Sequence, residues 1–148
     1  MEPEKYQIIN QIGLIIRQSH QRHTAIFQSL SYDKKITPIQ FTMLCTISDH
    51  GPSSLTEILK YTAIDHATIR GVVDRLKKRN LIELKNDTKD QRKVLVLLTP
   101  EGDELVKNMI PSAVEITKKT LENLNAGEQV ALKFLLEKMN NKGDYSSK

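Results

Sequence analysis

The chain has 148 residues, 39% hydrophobic and 27% charged, with a formal net charge of +4. This suits one globular unit, residues 1–148, and excludes a fibrous or largely disordered chain and a pair of independent domains. No apolar run approaches the ~20 residues of a membrane-spanning helix, and Met1-Glu2-Pro3-Glu4-Lys5 lacks a secretory pattern, so a cytoplasmic location without a membrane partner is expected.

From Tyr6 onward, Ile8, Ile9, Ile12, Ile15, Ile16, Ala25, Ile26, Phe27 and Leu30 recur at helical spacing and predict one long helix over the first ~25 residues. Thr37-Pro38-Ile39-Gln40 combines an N-cap, a proline at the first helical position and a capping-box glutamine. It opens a helix through Phe41, Leu44 and Ile47 that ends at Gly51-Pro52. A second capping box, Ser54-Leu55-Thr56-Glu57, starts a short helix, with a tight turn expected from Tyr61 to Ile64. Asp65 then caps a helix that turns Ile69, Val72, Val73 and Leu76 inward and its basic residues outward. Two short helices joined by a tight turn form a helix-turn-helix unit.

Asn80 suits the residue after a helix end, where a left-handed backbone is common. Leu81-Ile82-Glu83-Leu84 and Val94-Leu95-Val96-Leu97-Leu98 read as two strands around the wholly polar stretch 85–93, a β-hairpin with a long tip. Thr99-Pro100-Glu101 launches a long helix toward Leu121, with a bend expected at Pro111. Asn125-Ala126-Gly127-Glu128 caps a last helix carrying Val130, Ala131, Phe134, Leu135 and Met139, and the tail from Asn140 reads as frayed. The fold class expected is mainly α with a small β-hairpin wing: a winged helix-turn-helix between long N- and C-terminal helices.

Charge is concentrated in residues 65–93, where nine Lys and Arg face five Asp and Glu. The remainder of the chain is balanced, so the whole net charge resides in this stretch. A localised cationic surface is either a solvated face or what a phosphate-binding surface requires.

In order and spacing of elements the chain resembles the MarR (multiple antibiotic resistance regulator) family of winged helix-turn-helix transcription regulators. The resemblance is carried by Asp90-Gln91-Arg92 followed by Val94, Val96, Leu98 and Thr99, by Thr37-Pro38-Ile39-Gln40-Phe41, by Gly51-Pro52, and by Val73-Asp74-Arg75-Leu76 with Asn80-Leu81-Ile82. Two positions depart from the family pattern: Gln91, where Arg or Lys is common, and Asn80, where Gly is usual. The resemblance implies dimerisation helices at 4–36 and 100–141, a DNA-binding unit at 37–99 and a wing at 82–98. It further implies a homodimer on a pseudo-palindromic double-stranded operator, acting as a ligand-responsive repressor.

A recognition helix reads base edges with its first two turns. That nominates His66, Ala67, Thr68, Arg70 and Gly71, with Arg70 suited to guanine and Asp65 to capping. His66 and Thr68 are open between base, phosphate and purely local roles. Arg75, Lys77 and Lys78 lie where the helix leaves the groove; Arg75 either meets phosphate or pairs with Asp74. Ser54, Lys89 and Lys93 join the candidate DNA-binding set. For Arg92 the resemblance implies insertion into the minor groove, with Asp90 orienting its guanidinium; the alternative is an arginine merely solvated at a hairpin tip.

The stretch 17–24 holds no apolar residue, although apolar turns flank it. Arg17, His20, Thr24 and Phe27 fall on one helical stripe with His23 adjacent. Cation, imidazole, hydroxyl and ring suit an aromatic carboxylate, and the run 21–27 is similar to a family subgroup controlling aromatic-acid catabolism. The alternative is that the histidines pair across a dimer interface or face water. Phe41, Met43 and Cys45 are either walls of such a pocket or plain core.

The lone Cys45 excludes an internal disulfide or a cysteine metal cluster. Its apolar neighbours favour an inert thiol over a redox-responsive regulator. No metal-ligand spacing, phosphate-cradling loop or nucleophile elbow occurs, so neither cofactor, metal nor catalysis is expected. The rival reading is a winged-helix adaptor for protein contacts, which would not need a cationic helix and wing.

Overall fold

The computed structural model describes residues 5–140. Six helices and three short strands follow one another: α1 (Ile12–Leu30), α2 (Pro38–His50), β1 (Ser53–Ser54), α3 (Leu55–Thr62), α4 (His66–Lys78), β2 (Ile82–Asn86), β3 (Val94–Leu98), α5 (Pro100–Thr120) and α6 (Ala126–Met139). The fold is mainly helical with a small antiparallel sheet, as expected. The tail expected to fray after Asn140 lies outside the described residues.

Capping chemistry sets the boundaries. Thr37 with Gln40, Ser54 with Glu57 and Asn125 with Glu128 form reciprocal capping boxes. Asp65 accepts from the Thr68 amide at 2.7 Å, and Thr99 accepts from the Gly102 amide at 3.0 Å. Each satisfies an amide that the helix start would otherwise leave unpaired.

The structure corrects the sequence expectation at three places. The first helix is not continuous from Tyr6: a 3₁₀ turn, Ile8–Asn10, precedes α1, and Gln11 between them is extended at φ −85 and ψ 138. Polar side chains account for the break, because Asn10 Nδ2 donates to Gln7 Oε1 at 3.0 Å and Gln11 Nε2 donates to the Gln7 carbonyl at 3.1 Å. The short helix α3 runs on to Thr62, and the turn into α4 pivots on Ala63 in the left-handed region, at φ 55. The hairpin is joined by a third strand: β1 pairs with β3, Ser53 opposite Val96 and Ser54 opposite Leu95, giving the order β1-β3-β2. Helix α5 runs through Pro111 as one element.

Met43 and Leu44 of α2, Ile58 of α3, Ile69 and Leu76 of α4, Val96 of β3 and Met109 of α5 are essentially sealed from solvent. They lock the helix-turn-helix and the base of the wing onto α5. The junction of α4, β2 and α5 is tight: a Cβ on Gly102 would stand 2.0 Å from the Leu81 carbonyl oxygen. Thr99 bridges the same junction, donating from its hydroxyl to the Asn80 carbonyl at 2.6 Å and from its amide to the Leu81 carbonyl at 3.1 Å. Asn80 takes the left-handed conformation expected of it, at φ 57.

The ends of the molecule are different in character. Ile8, Ile9, Ile12, Ile15 and Ile16 are exposed, Ile12 by 66%, as are Val130 by 73%, Leu135 and Met139. No residue of α6 is buried. Enclosing one such isoleucine contributes roughly 1.5–3 kcal/mol, so a single chain leaves a large favourable term unused.

Candidate nucleic-acid interface and effector site

Helix α4 is held by its buried stripe of Ile69, Val72, Val73 and Leu76. Its opposite face carries His66, Ala67, Arg70, Lys77 and Lys78 exposed to solvent, with Thr68 and Gly71 half-buried. His66, Arg70 and Lys77 share one edge of that face and Ala67, Gly71 and Lys78 its centre, whereas Arg75 lies along the far edge. The Asp65 carboxylate is held below its ordinary pKa by the amide and hydroxyl of Thr68, so its role is capping. Asp74 and Arg75 are both exposed and make no ion pair among the described residues, which removes the internal pair considered for Arg75.

The wing tip is shaped by aspartates that bind backbone. Asp87 Oδ1 accepts from the Lys89 amide at 2.9 Å, and Asp90 Oδ1 accepts from the Arg92 amide at 3.1 Å. Asp90 therefore orients the chain at Arg92 and leaves the guanidinium free, a correction to the side-chain pairing expected of it. Lys89 and Arg92 project from this tip exposed. Lys93 does not: its Nζ lies 2.8 Å from Glu57 Oε1. The hydrogen bond between them draws the Glu57 pKa down and the Lys93 pKa up.

Ser54 is likewise committed. It is buried, accepts from the Glu57 amide at 3.2 Å, and donates its own amide to Glu57 Oε2 at 3.3 Å. Its hydroxyl is a helix cap, and the exposed hydroxyl beside it is that of Thr56. An open groove of about 480 Å³ runs between the start of α3 and the wing, lined by Ser54, Thr56, Glu57, Asp90, Arg92 and Lys93.

On α1 the predicted stripe divides. Arg17 and His20 are exposed, whereas His23 and Thr24 are half-buried and Phe27 is buried. Phe27 packs on Phe41 with ring centroids 6.0 Å apart, and Phe41 and Cys45 pack against the main core. His23 Nδ1 lies 3.0 Å from Thr120 Oγ1 at the end of α5. Thr24 Oγ1 is buried without a hydrogen-bond partner among the described residues. Partial burial, then the neighbouring His20, lower the His23 pKa, so its ring is neutral at pH 7. Burial, then Asp49, push the Cys45 thiol up to about 11. So little thiolate forms at neutral pH that the redox-responsive alternative loses its chemical basis.

A family model for MarR matches residues 36–94. The HTH-type transcriptional repressor NicR of Pseudomonas putida is 51% identical over 134 residues, covering 90% of this chain and 85% of NicR. The chain belongs to the MarR family. Among solved structures, Bordetella bronchiseptica BpsR, described for the regulation of its DNA binding by 6-hydroxynicotinic acid, superposes with a TM-score of 0.88. It is 47% identical, and the match covers 93% of this chain and 98% of BpsR. A MarR variant from Escherichia coli complexed with operator DNA superposes with a TM-score of 0.82 at 25% identity, covering 93% of this chain and 99% of the other.

Within this MarR-family chain, sequence reasoning missed Glu57, Thr120 and Arg22 as site-forming residues. Arg22 donates to the Lys119 carbonyl at 3.2 Å and lies 3.4 Å from Glu122 Oε1, fastening α1 to the end of α5 beside His23. Glu57 and Lys93 are 36 positions apart, and Arg22 and Glu122 are 100 apart. No local pattern signals either pair.

Proposed function

We propose that this chain is a transcriptional repressor that binds a pseudo-palindromic operator as a homodimer and is released by a small aromatic carboxylic acid. The observation that carries the DNA-binding part is that Arg70 on α4 and Arg92 at the wing tip are both exposed with no side-chain partner among the described residues. Two such cations on neighbouring elements suit a major-groove contact and a minor-groove contact on one duplex. Ala67 and Gly71 let the helix approach closely, while Lys77, Lys78, Arg75 and Lys89 supply phosphate contacts.

The homodimer follows from the exposed isoleucines before and within α1 and the apolar face of α6, which a second copy would cover. The effector is held between α1 and the helix-turn-helix, with Arg17, His20, His23 and Thr24 as polar contacts and Phe27, Phe41 and Cys45 as wall. The orphaned Thr24 hydroxyl supports a polar ligand there, and the likeness to BpsR makes 6-hydroxynicotinic acid the first probe. The reading requires neither catalysis nor a cofactor, and it places the protein in the cytoplasm.

Fluorescence anisotropy with the DNA upstream of its own gene tests the reading. Binding that weakens steeply with salt and is reversed by 6-hydroxynicotinic acid is expected. Salt-insensitive behaviour or no binding would favour the adaptor reading instead.

A further inference from the structure

Thr120 Oγ1 has two neighbours: the Ile116 carbonyl oxygen at 2.7 Å and His23 Nδ1 at 3.0 Å. A hydroxyl carries one proton, and a carbonyl has none to offer. Both contacts are hydrogen bonds only when the Thr120 proton is given to Ile116 and a lone pair faces His23. To make its bond, Nδ1 must carry the hydrogen and donate it. In the neutral ring Nε2 is then a bare acceptor, and it has no partner among the described residues.

We infer that Thr120 is a positioning residue that holds neutral His23 in the Nδ1–H form, so that a carboxylate effector binds at His23 only together with a proton on Nε2. The inference rests on the effector reading above. A carboxylate accepts hydrogen bonds and cannot donate them, so it repels a bare Nε2 lone pair. Uptake of one proton from solvent gives the imidazolium, whose Nδ1–H stays on Thr120 while Nε2–H donates to the carboxylate in a charge-assisted bond.

Other charged groups near His23 do not supply that proton. On α1 the neighbours are His20 and Arg22. At the end of α5 and just beyond it stand Lys119 and Glu122, and these two pair with each other at 3.0 Å. Arg22 is joined to the same Glu122. His20 disfavours charge on His23, and burial acts in the same sense, so the unliganded ring is neutral. The carboxylate reverses that balance by facing the ring with a negative charge.

The test uses the full-length protein and 6-hydroxynicotinic acid. Titration calorimetry at pH 7.5 in two buffers of different ionisation heat should report uptake of about one proton per site, and affinity should fall about tenfold per pH unit above the His23 pKa. Thr120→Val removes the fixed acceptor and lets the ring carry its hydrogen on Nε2. Uptake should then drop toward zero and the pH profile flatten, whereas Thr120→Ser should behave as the parent.

Nitrogen NMR of labelled histidine in the unliganded protein reads the tautomer directly: Nδ1 protonated in the parent, Nε2 in Thr120→Val. Effector binding without proton uptake, or uptake unchanged in Thr120→Val, overturns the inference and leaves the effector reading standing. If 6-hydroxynicotinic acid does not bind, the effector reading falls, and a parent tautomer protonated on Nε2 would overturn the role of Thr120 independently.

Discussion

Lys93, at the tip end of the wing just before β3, and Glu57 in the first turn of α3 are joined at 2.8 Å, and the same glutamate closes the capping box of Ser54. One carboxylate thus fixes the start of the helix-turn-helix and ties the wing to it. Glu57→Gln preserves the capping box, since glutamine serves equally at that position, but removes the ion pair. Global stability should change little, because the pair is exposed and screened by solvent. Lys93 becomes free to meet phosphate, so the slope of log affinity against log salt should steepen by about 0.9 per protomer, and Glu57→Gln combined with Lys93→Gln should return it. An unchanged slope in the single variant would mean that Lys93 already leaves Glu57 on DNA.

Arg70 and Arg92 separate by the kind of information they read. Arg92→Ala should weaken binding to operator and unrelated DNA alike and reduce the salt slope by about 0.9 per protomer. Arg70→Ala should cost about 1–3 kcal/mol on the operator and relax preference at one base pair of each half-site. Anisotropy titrations on the operator, a point-substituted operator and random DNA distinguish the two patterns. Equal losses on all three duplexes for Arg70→Ala would make it a phosphate contact.

Arg79 at the end of α4 pairs with Asp33 in the α1–α2 loop at 2.6 Å, positioning the recognition helix from its far end. Partial burial raises the pKa of Asp33, but hydrogen bonds from Arg79 and the Lys35 amide, with the charges of both residues, outweigh it and leave the carboxyl below its ordinary value. A carboxylate depressed on folding contributes stability that is present above its unfolded pKa, near 3.9, and is lost as pH falls through the lower folded value. Asp33→Asn should therefore be less stable by about 1 kcal/mol at pH 7. The difference should shrink in acid, as thermal unfolding at stepped pH would show. A gap that persists undiminished in acid would assign the loss to packing.

What was legible in the sequence shares a short range. Thr37, Ser54, Asp65, Thr99 and Asn125 act within three residues of themselves, so their chemistry is readable from spacing alone. The buried stripe of α4 and the alternation in β3 follow from single-element periodicity. The pairing of Ser53 and Ser54 with β3 is not readable, because two polar residues carry no strand pattern and take it from their partner. The candidate effector stripe is visible as a polar gap in an apolar helix. Its second half, Thr120 and Arg22 with Glu122, depends on α1 meeting the end of α5, which no spacing within either helix encodes.

Gly71 stands in the interior of α4, where glycine costs about 1 kcal/mol relative to alanine. Nothing within the chain requires it: a Cβ there would meet no atom within 4 Å, in contrast to Gly102 against Leu81. The fold therefore gives no reason for the missing side chain, and the space it leaves opens outward between Ala67 and Lys78. Gly71→Ala should raise stability by about 0.5–1 kcal/mol and at the same time weaken operator binding, because the added methyl keeps the helix from its closest approach to the groove. Chemical denaturation and anisotropy on the same preparation read both quantities. A variant that is stabilised without loss of affinity would remove Gly71 from the interface and leave Arg70 and Arg92 to carry it.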